Sequence, residues 1–174
     1  WGYRENESMG GYDPYSSSKG AAEIAIASWR RSFFNPVDYG MKHHVALASV
    51  RAGNVIGGGD WALDRIIPDC IKALEAGKDI DIRSPKAIRP WQHVLEPLSG
   101  YMLLATKMWE EPTKYCEGWN FGPRAESITP VWDIATDVIK IYGSGKLNDM
   151  SNPNVLHEAK LLMLDISKAK FQLG

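Results

Sequence analysis

Apolar and polar positions along the chain switch repeatedly between helical and strand spacing, which predicts helices separated by short strands. Residues 1–13 are polar and glycine-rich and read as a loop. Ala22, Ile26, Trp29 and Phe33 recur at steps of four, three and four, predicting a helix over 14–34 with those residues as its buried face. Asn35-Pro36 stops this helix and Tyr39-Gly40 turns the chain. Residues 44–50 form a short apolar, β-rich run, expected as a buried strand of a parallel sheet. A helix over 66–77 follows, with Ile67, Cys70, Ile71 and Leu74 as its stripe and Gly77 closing it. Residues 79–83 (Asp-Ile-Asp-Ile-Arg) alternate, as a half-exposed strand does. Val94, Leu98, Tyr101, Met102, Ala105 and Met108 predict a helix over 94–109, ended by Glu110-Glu111-Pro112. Short strands at 119–122, 127–129 and 161–164, a helix from Thr129-Pro130 to Tyr142-Gly143 and a last helix over 167–173 complete an α/β pattern.

With 174 residues, 44% of them apolar, the chain can bury a core. Its net charge of -1 and isoelectric point near 6.5 offer no basic field for nucleic acid. No apolar run is long enough to cross a membrane, and residues 1–13 have no basic-then-apolar leader pattern. Cys70 and Cys116 have no metal-site spacing and read as two buried free thiols in a reducing cytoplasm. Metal chemistry has no support. Gly143-Ser144-Gly145-Lys146 is not a phosphate loop, since it lacks the first glycine and the following Ser or Thr.

The candidate chemistry starts at Tyr15 and Lys19. Four residues apart at the start of a helix, they share one face about one turn from each other. A phenol alone is a poor base, with an ordinary pKa of about 10. An ammonium beside it favours the phenolate, so the pair can take a proton from a hydroxyl. Pro14 stiffens the entry, and Ser16 to Ser18 with Gly20-Ala21-Ala22 let a backbone or ligand come close.

Arg51, Asn54 and Gly57 to Gly59 follow the strand at 44–50, at the edge where open α/β sheets bind ligands. Gly57-x-Gly59-x-x-Ala62 also fits a dinucleotide fingerprint, with Asp79 and Asp81 about 20 residues on. Asp60 inside that loop, bulky Trp61 and Pro68 in the next helix count against it, so the preferred reading is a glycine-rich substrate loop. Arg89 precedes Pro90-Trp91-Gln92-His93. His93 reads as structural, and His43 and His44 as surface residues.

Tyr15-x-x-x-Lys19 followed by Gly20-Ala21-Ala22-Glu23 resembles the active-site helix of the extended short-chain dehydrogenase/reductases. Tyr12 to Ser16, Arg51 to Trp61, Arg65 to Asp69 and Arg89 to Val94 together are similar to the nucleotide-sugar 4,6-dehydratases of that family, over nearly all of the chain. The resemblance implies an NAD(P)-binding Rossmann-like fold with the N-terminal dinucleotide-binding half missing, plus a smaller α/β substrate-binding lobe. Residues 1–60 are then the remaining Rossmann-like part and 61–174 mainly the lobe, interleaved and short of its last residues. It implies NAD as cofactor, held by Tyr15 and Lys19, with Tyr15 and Lys19 also catalytic. It implies CDP-glucose as substrate, its diphosphate side bound by Asn54 and by Arg89, whose guanidinium fork suits phosphate. Arg51 is expected as a structural neighbour, and Trp61 or Trp91 as residues that stack on a base or sugar. The reaction implied is C4 oxidation, loss of water across C5 and C6, and C6 reduction, in deoxysugar and lipopolysaccharide O-antigen synthesis. The family's Ser/Thr partner and acid/base pair lie upstream, so the chain by itself is expected to be inactive and to bind NAD weakly. A cytoplasmic homodimer of the full-length enzyme is implied, with 14–34 in its interface. Two alternatives stay open at this point: another epimerase, dehydratase or decarboxylase of the family, or a non-catalytic nucleotide-sugar-binding lobe.

Overall fold

The computed structural model describes residues 1–152 and 162–174. In chain order its elements are α1 (Pro14–Ser32), β1 (Ser49–Ala52), β2 (Val55–Ile56), α2 (Ile66–Glu75), β3 (Ile80–Ile82), β4 (Ile88–Arg89), β5 (Gln92–His93), α3 (Leu95–Glu110), β6 (Gly118–Phe121), β7 (Thr129–Pro130), α4 (Val131–Tyr142), β8 (Leu147–Asp149) and α5 (Ser167–Gln172). They gather into two compact units, each built from separated stretches of chain.

The first unit holds Trp1–Ala52, Leu95–Gly122 and Leu164–Gly174. β1 and β6 run parallel, Ser49 opposite Gly118 and Ala52 opposite Phe121. Trp119, fully buried, centres a core with Leu104, Tyr115, Ala169 and Leu173. Its indole N–H donates to the Tyr115 carbonyl at 3.0 Å, so the ring's one polar atom is satisfied inside the core. Lys168 closes that core from above, its Nζ 4.2 Å from the Trp119 ring centre and paired with the Glu117 carboxylate.

The second unit holds Gly53–Val94 and Pro123–Met163. α2 and α4 pack together over β3, with Cys70, Leu74, Ile80, Ile82 and Ala135 as the buried centre. β3 pairs in parallel with β8, β2 in parallel with β5, and β4 antiparallel with β7. The alternation at 79–83 holds as read: Ile80 and Ile82 are buried and Asp81 faces out. Gly77 and Gly143 end α2 and α4 with φ of 65° and 94°, a left-handed region glycine enters without strain.

Several expectations are corrected. The apolar stripe of α1 is not its buried face: Trp29 is 54% and Phe33 63% exposed, Ala22 is exposed, and Ile26 is half-buried. The inward side carries Gly20, Glu23, Ala27 and Arg30 instead, because Glu23 and Arg30 are tied to the β1 segment by hydrogen bonds. On α3 the burial falls on Pro97 and Leu104, while Leu98 and Met102 lie exposed; the helix is apolar on more than one side, so its spacing fitted two faces. The strand at 44–50 is ladder-paired only from Ser49, where β6 begins to supply a partner. The strand at 127–129 is a turn at Ala125–Ser127 followed by β7. Of the strand at 161–164, Leu161 lies outside the described residues, and Leu164 makes a single parallel bridge to Tyr3.

Candidate active site

Two sets of predicted residues are found, one in each unit. In the first unit, Asp13 caps α1: its Oδ1 accepts the Ser16 backbone N–H at 3.0 Å and its Oδ2 the Ser16 hydroxyl at 2.6 Å. These bonds hold the Asp13 carboxyl below its ordinary value of 3.8. Pro14 occupies the first helical position, where its missing N–H costs nothing. Tyr15 therefore leaves the first turn at a fixed place and is 71% exposed. Lys19, one turn on, sets its Nζ 5.5 Å from the centre of the Tyr15 ring. The phenol and the ammonium are thus neighbours on one exposed helix face, as their spacing predicts.

The small residues around them have a steric reason. A Cβ on Gly11 would lie 2.3 Å from the Ser16 Cβ and 2.5 Å from its carbonyl carbon. A Cβ on Gly20 would meet the Gly10 nitrogen at 3.3 Å. The loop before α1 thus lies directly against the first turns of the helix. The Ser17 hydroxyl fastens it by donating to the Gly11 carbonyl at 3.2 Å.

In the second unit, parallel pairing of β2 with β5 brings Asn54 and Arg89 into one neighbourhood. The Gln92 N–H donates to the Asn54 carbonyl at 3.0 Å, and the Trp91 N–H to the Arg89 carbonyl at 2.9 Å. Gly53 is pressed against Pro90, where a Cβ would lie 2.2 Å from the Pro90 Cγ. Arg89 is half-buried, its Nη1 donating to the Ile88 carbonyl at 2.9 Å. Trp91 buries its indole nitrogen with no hydrogen-bond partner among the described residues. Trp61 is exposed, with the Lys72 ammonium donating to its carbonyl at 2.8 Å. The dinucleotide fingerprint at Gly57 is not realised. Gly59 turns the chain with φ of 83°, Asp64 also has positive φ, and α2 opens only at Ile66, well beyond Ala62.

Sequence reading missed a polar network behind α1. Glu23 Oε2 accepts from Arg51 Nη2 at 2.8 Å and from the Ser49 hydroxyl at 2.9 Å. Burial pushes the Glu23 carboxyl up, but the bonds from Arg51 and Ser49 and the charges of Arg51 and Arg30 outweigh it, and the net shift is down. Glu23 stands at the helical spacing of four from Lys19, a signal visible in the sequence. Its partner, 28 residues on, was not.

No family model matches the chain. Over all 174 residues it is 55% identical to CDP-glucose 4,6-dehydratase of Salmonella typhimurium, and it spans 48% of that protein's length. Among solved structures it is similar to dTDP-glucose 4,6-dehydratase from Bacillus anthracis in complex with NAD, with a TM-score of 0.77 at 17% identity over 98% of this chain and 49% of that one. It is also similar to dTDP-glucose 4,6-dehydratase from Streptomyces venezuelae, with a TM-score of 0.78 at 14% identity over 100% and 49% of the two chains. UDP-glucuronic acid 4-epimerase from Bacillus cereus superposes with a TM-score of 0.72 at 21% identity, over 98% of this chain and 54% of that one. The chain has the fold of the extended short-chain dehydrogenase/reductases. It spans about half the length of each of these relatives. Dehydratases and epimerases share this fold, so the fold alone does not separate the two activities. No described helix is long and apolar enough to cross a membrane.

Proposed function

We propose that this chain carries the tyrosine–lysine part of a CDP-glucose 4,6-dehydratase that acts in the cytoplasm, as a homodimer, in deoxysugar and lipopolysaccharide synthesis. The observation that carries the reading is the Lys19 ammonium 5.5 Å from the exposed Tyr15 ring, on a chain 55% identical to the Salmonella enzyme. We assign residues 1–60 to the Rossmann-like part and 61–174 mainly to the interleaved nucleotide-sugar lobe.

The residues of α1 suit NAD. The ammonium of Lys19, exposed on the helix face, offers three donors for the hydroxyls of the nicotinamide ribose. When bound, NAD supplies the acceptor and later the donor of a hydride. Tyr15 takes the proton from the sugar 4-hydroxyl as C4 is oxidised; C4 stays a ketone when C6 is reduced, so this proton is not returned to the sugar oxygen. Lys19, its Nζ 5.5 Å from the Tyr15 ring centre, places a positive charge beside the group that accepts this proton. Arg89 and Asn54 bind the diphosphate side of CDP-glucose, the former through its planar fork of N–H donors. Trp61 and Trp91 supply aromatic surface for the base or sugar.

The test is turnover by the whole protein, with CDP-, UDP-, GDP- and dTDP-glucose offered separately and the loss of one water followed by mass spectrometry. Dehydration of CDP-glucose at the highest kcat/KM supports the reading. Epimerisation without water loss, or binding without turnover, overturns it.

A further inference from the structure

We propose that Glu23 and Arg51 form a positioning pair that fixes the rotation of α1 about its own axis, and with it the direction of Tyr15 and Lys19. The inference deepens the reading of Tyr15 and Lys19 as an acid–base pair and rests on it. Tyr15, Lys19 and Glu23 follow one another at intervals of four on α1, each about 40° further round, so all three turn together as parts of a single hydrogen-bonded rod. A turn of that rod at Glu23 is passed on to the other two. At a side-chain radius of about 6 Å, a rotation of about 10° moves a tip by about 1 Å.

Apolar packing gives this rotation little hold: Ala22, Ile24, Trp29 and Phe33 lie exposed, and Ile26 and Ala27 are only half-buried. Directional polar bonds set it. The pair is the most enclosed ion pair described on α1, with side-chain exposures of 17% for Glu23 and 20% for Arg51. The Glu23 carboxylate takes two donors from β1, Arg51 Nη2 at 2.8 Å and the Ser49 hydroxyl at 2.9 Å. The other prong of Arg51 donates from Nη1 to the Glu5 carbonyl at 3.2 Å, in the loop that leads into α1. One guanidinium thus ties together the strand, the helix and the segment before the helix.

The fold also leaves room for it. Gly118 stands opposite Ser49 on β6, and a Cβ there would lie 2.7 Å from Arg51 Nη2 and 3.3 Å from its Cζ. Gly118 is not in a left-handed conformation, so space and not backbone freedom is what glycine provides at this position. A second effect is electrostatic. Arg51 engages a carboxylate that stands one turn from Lys19; without Arg51, Glu23 becomes the nearest anion on the helix face to compete with Tyr15 for the ammonium.

The experiment uses the whole protein and four variants: Arg51→Met, the double variant Glu23→Gln with Arg51→Met, Gly118→Ala, and Leu104→Ala as a core-loosening control in the same unit. For a misplacement of about 1 Å, kcat of Arg51→Met falls about 100-fold while KM for CDP-glucose stays within about twofold. Gly118→Ala falls in the same direction with every charge retained, and the double variant recovers part of the loss. Leu104→Ala lowers Tm without this fall in kcat. Independently of activity, amide exchange over residues 15–23 is faster in Arg51→Met and Gly118→Ala than in Leu104→Ala at matched Tm loss. If kcat and α1 exchange in Arg51→Met and Gly118→Ala follow the Leu104→Ala control, the pair is structural only and the inference is wrong. If the unmodified protein does not dehydrate CDP-glucose, the functional reading is what fails, and the exchange arm still decides the positioning claim.

Discussion

Asn120 donates its backbone N–H to the Glu5 carboxylate at 3.0 Å, joining the first residues of the chain to the middle of β6 across 115 positions. The Asn120 side chain, 1% exposed, donates from Nδ2 to the carbonyls of Tyr3 at 2.9 Å and Asp165 at 3.2 Å. A single buried amide therefore holds three separate stretches of the first unit. Asn120→Leu takes the side-chain donor from the Asp165 carbonyl and leaves the Tyr3 carbonyl with the Asp165 N–H alone, and we expect it to cost about 1–3 kcal/mol of unfolding free energy in urea titration. A loss under about 0.5 kcal/mol would show that these carbonyls find other partners.

Asp13 gives the start of α1 a defined dependence on pH. Its carboxyl is held below 3.8 by the Ser16 hydroxyl and N–H, so the ionised cap stabilises the folded helix start at every pH above that value. As the pH falls below 3.8 and through the lowered folded value, the contribution is lost. The Ser16 amide, followed by NMR, should titrate with a midpoint below 3.8, and Asp13→Asn should abolish that transition. A midpoint at or above 3.8 contradicts the cap geometry.

How much of this was legible in sequence depends on the range of the forces involved. The start of α1 was readable because Asp13, Pro14 and Ser16 act within one turn. The strand at Ile80 to Ile82 and the end of α4 at Gly143 were readable for the same reason. The buried side of α1 was not, because the apolar residues suggested one face while Glu23, bonded to a residue 28 positions away, turned another inward. β8 was missed because Leu147-Asn148-Asp149 has little strand character of its own and is defined by β3 beside it. At the candidate site, Tyr15 and Lys19 were legible as a pair from spacing alone. The pairing of β2 with β5 that gathers Asn54 and Arg89 needed the fold.

Gly53 is where that gathering is most easily disturbed. A Cβ there would sit 2.2 Å from Pro90 Cγ and 2.8 Å from the Pro90 carbonyl oxygen, too close for the backbone to accept unchanged. We expect Gly53→Ala to destabilise the protein by about 1–3 kcal/mol in chemical denaturation. It should also weaken binding of CDP-glucose, measured by calorimetry. Unchanged stability and unchanged affinity together would rule out the close packing of these two segments.

The two thiols should be silent in the folded protein. Burial pushes Cys70 up to about 11, leaving about one thiolate in a thousand at pH 8, and burial likewise raises Cys116. Neither is paired. A disulfide reagent at pH 8 should label no cysteine in native protein and both after unfolding. Rapid labelling of either thiol in the native state would contradict the burial described for it.

The most direct test of the central claim is the single-turnover rate of CDP-glucose oxidation in the whole protein bearing Tyr15→Phe. Removing the phenolic oxygen deletes the proton acceptor and little else, since Tyr15 is exposed and holds no core contact. The account predicts a fall of about 10²–10⁴-fold with CDP-glucose affinity unchanged. A rate within about threefold of the unmodified protein would mean that another group takes the proton, and the Tyr15–Lys19 pair would have no part in the chemistry.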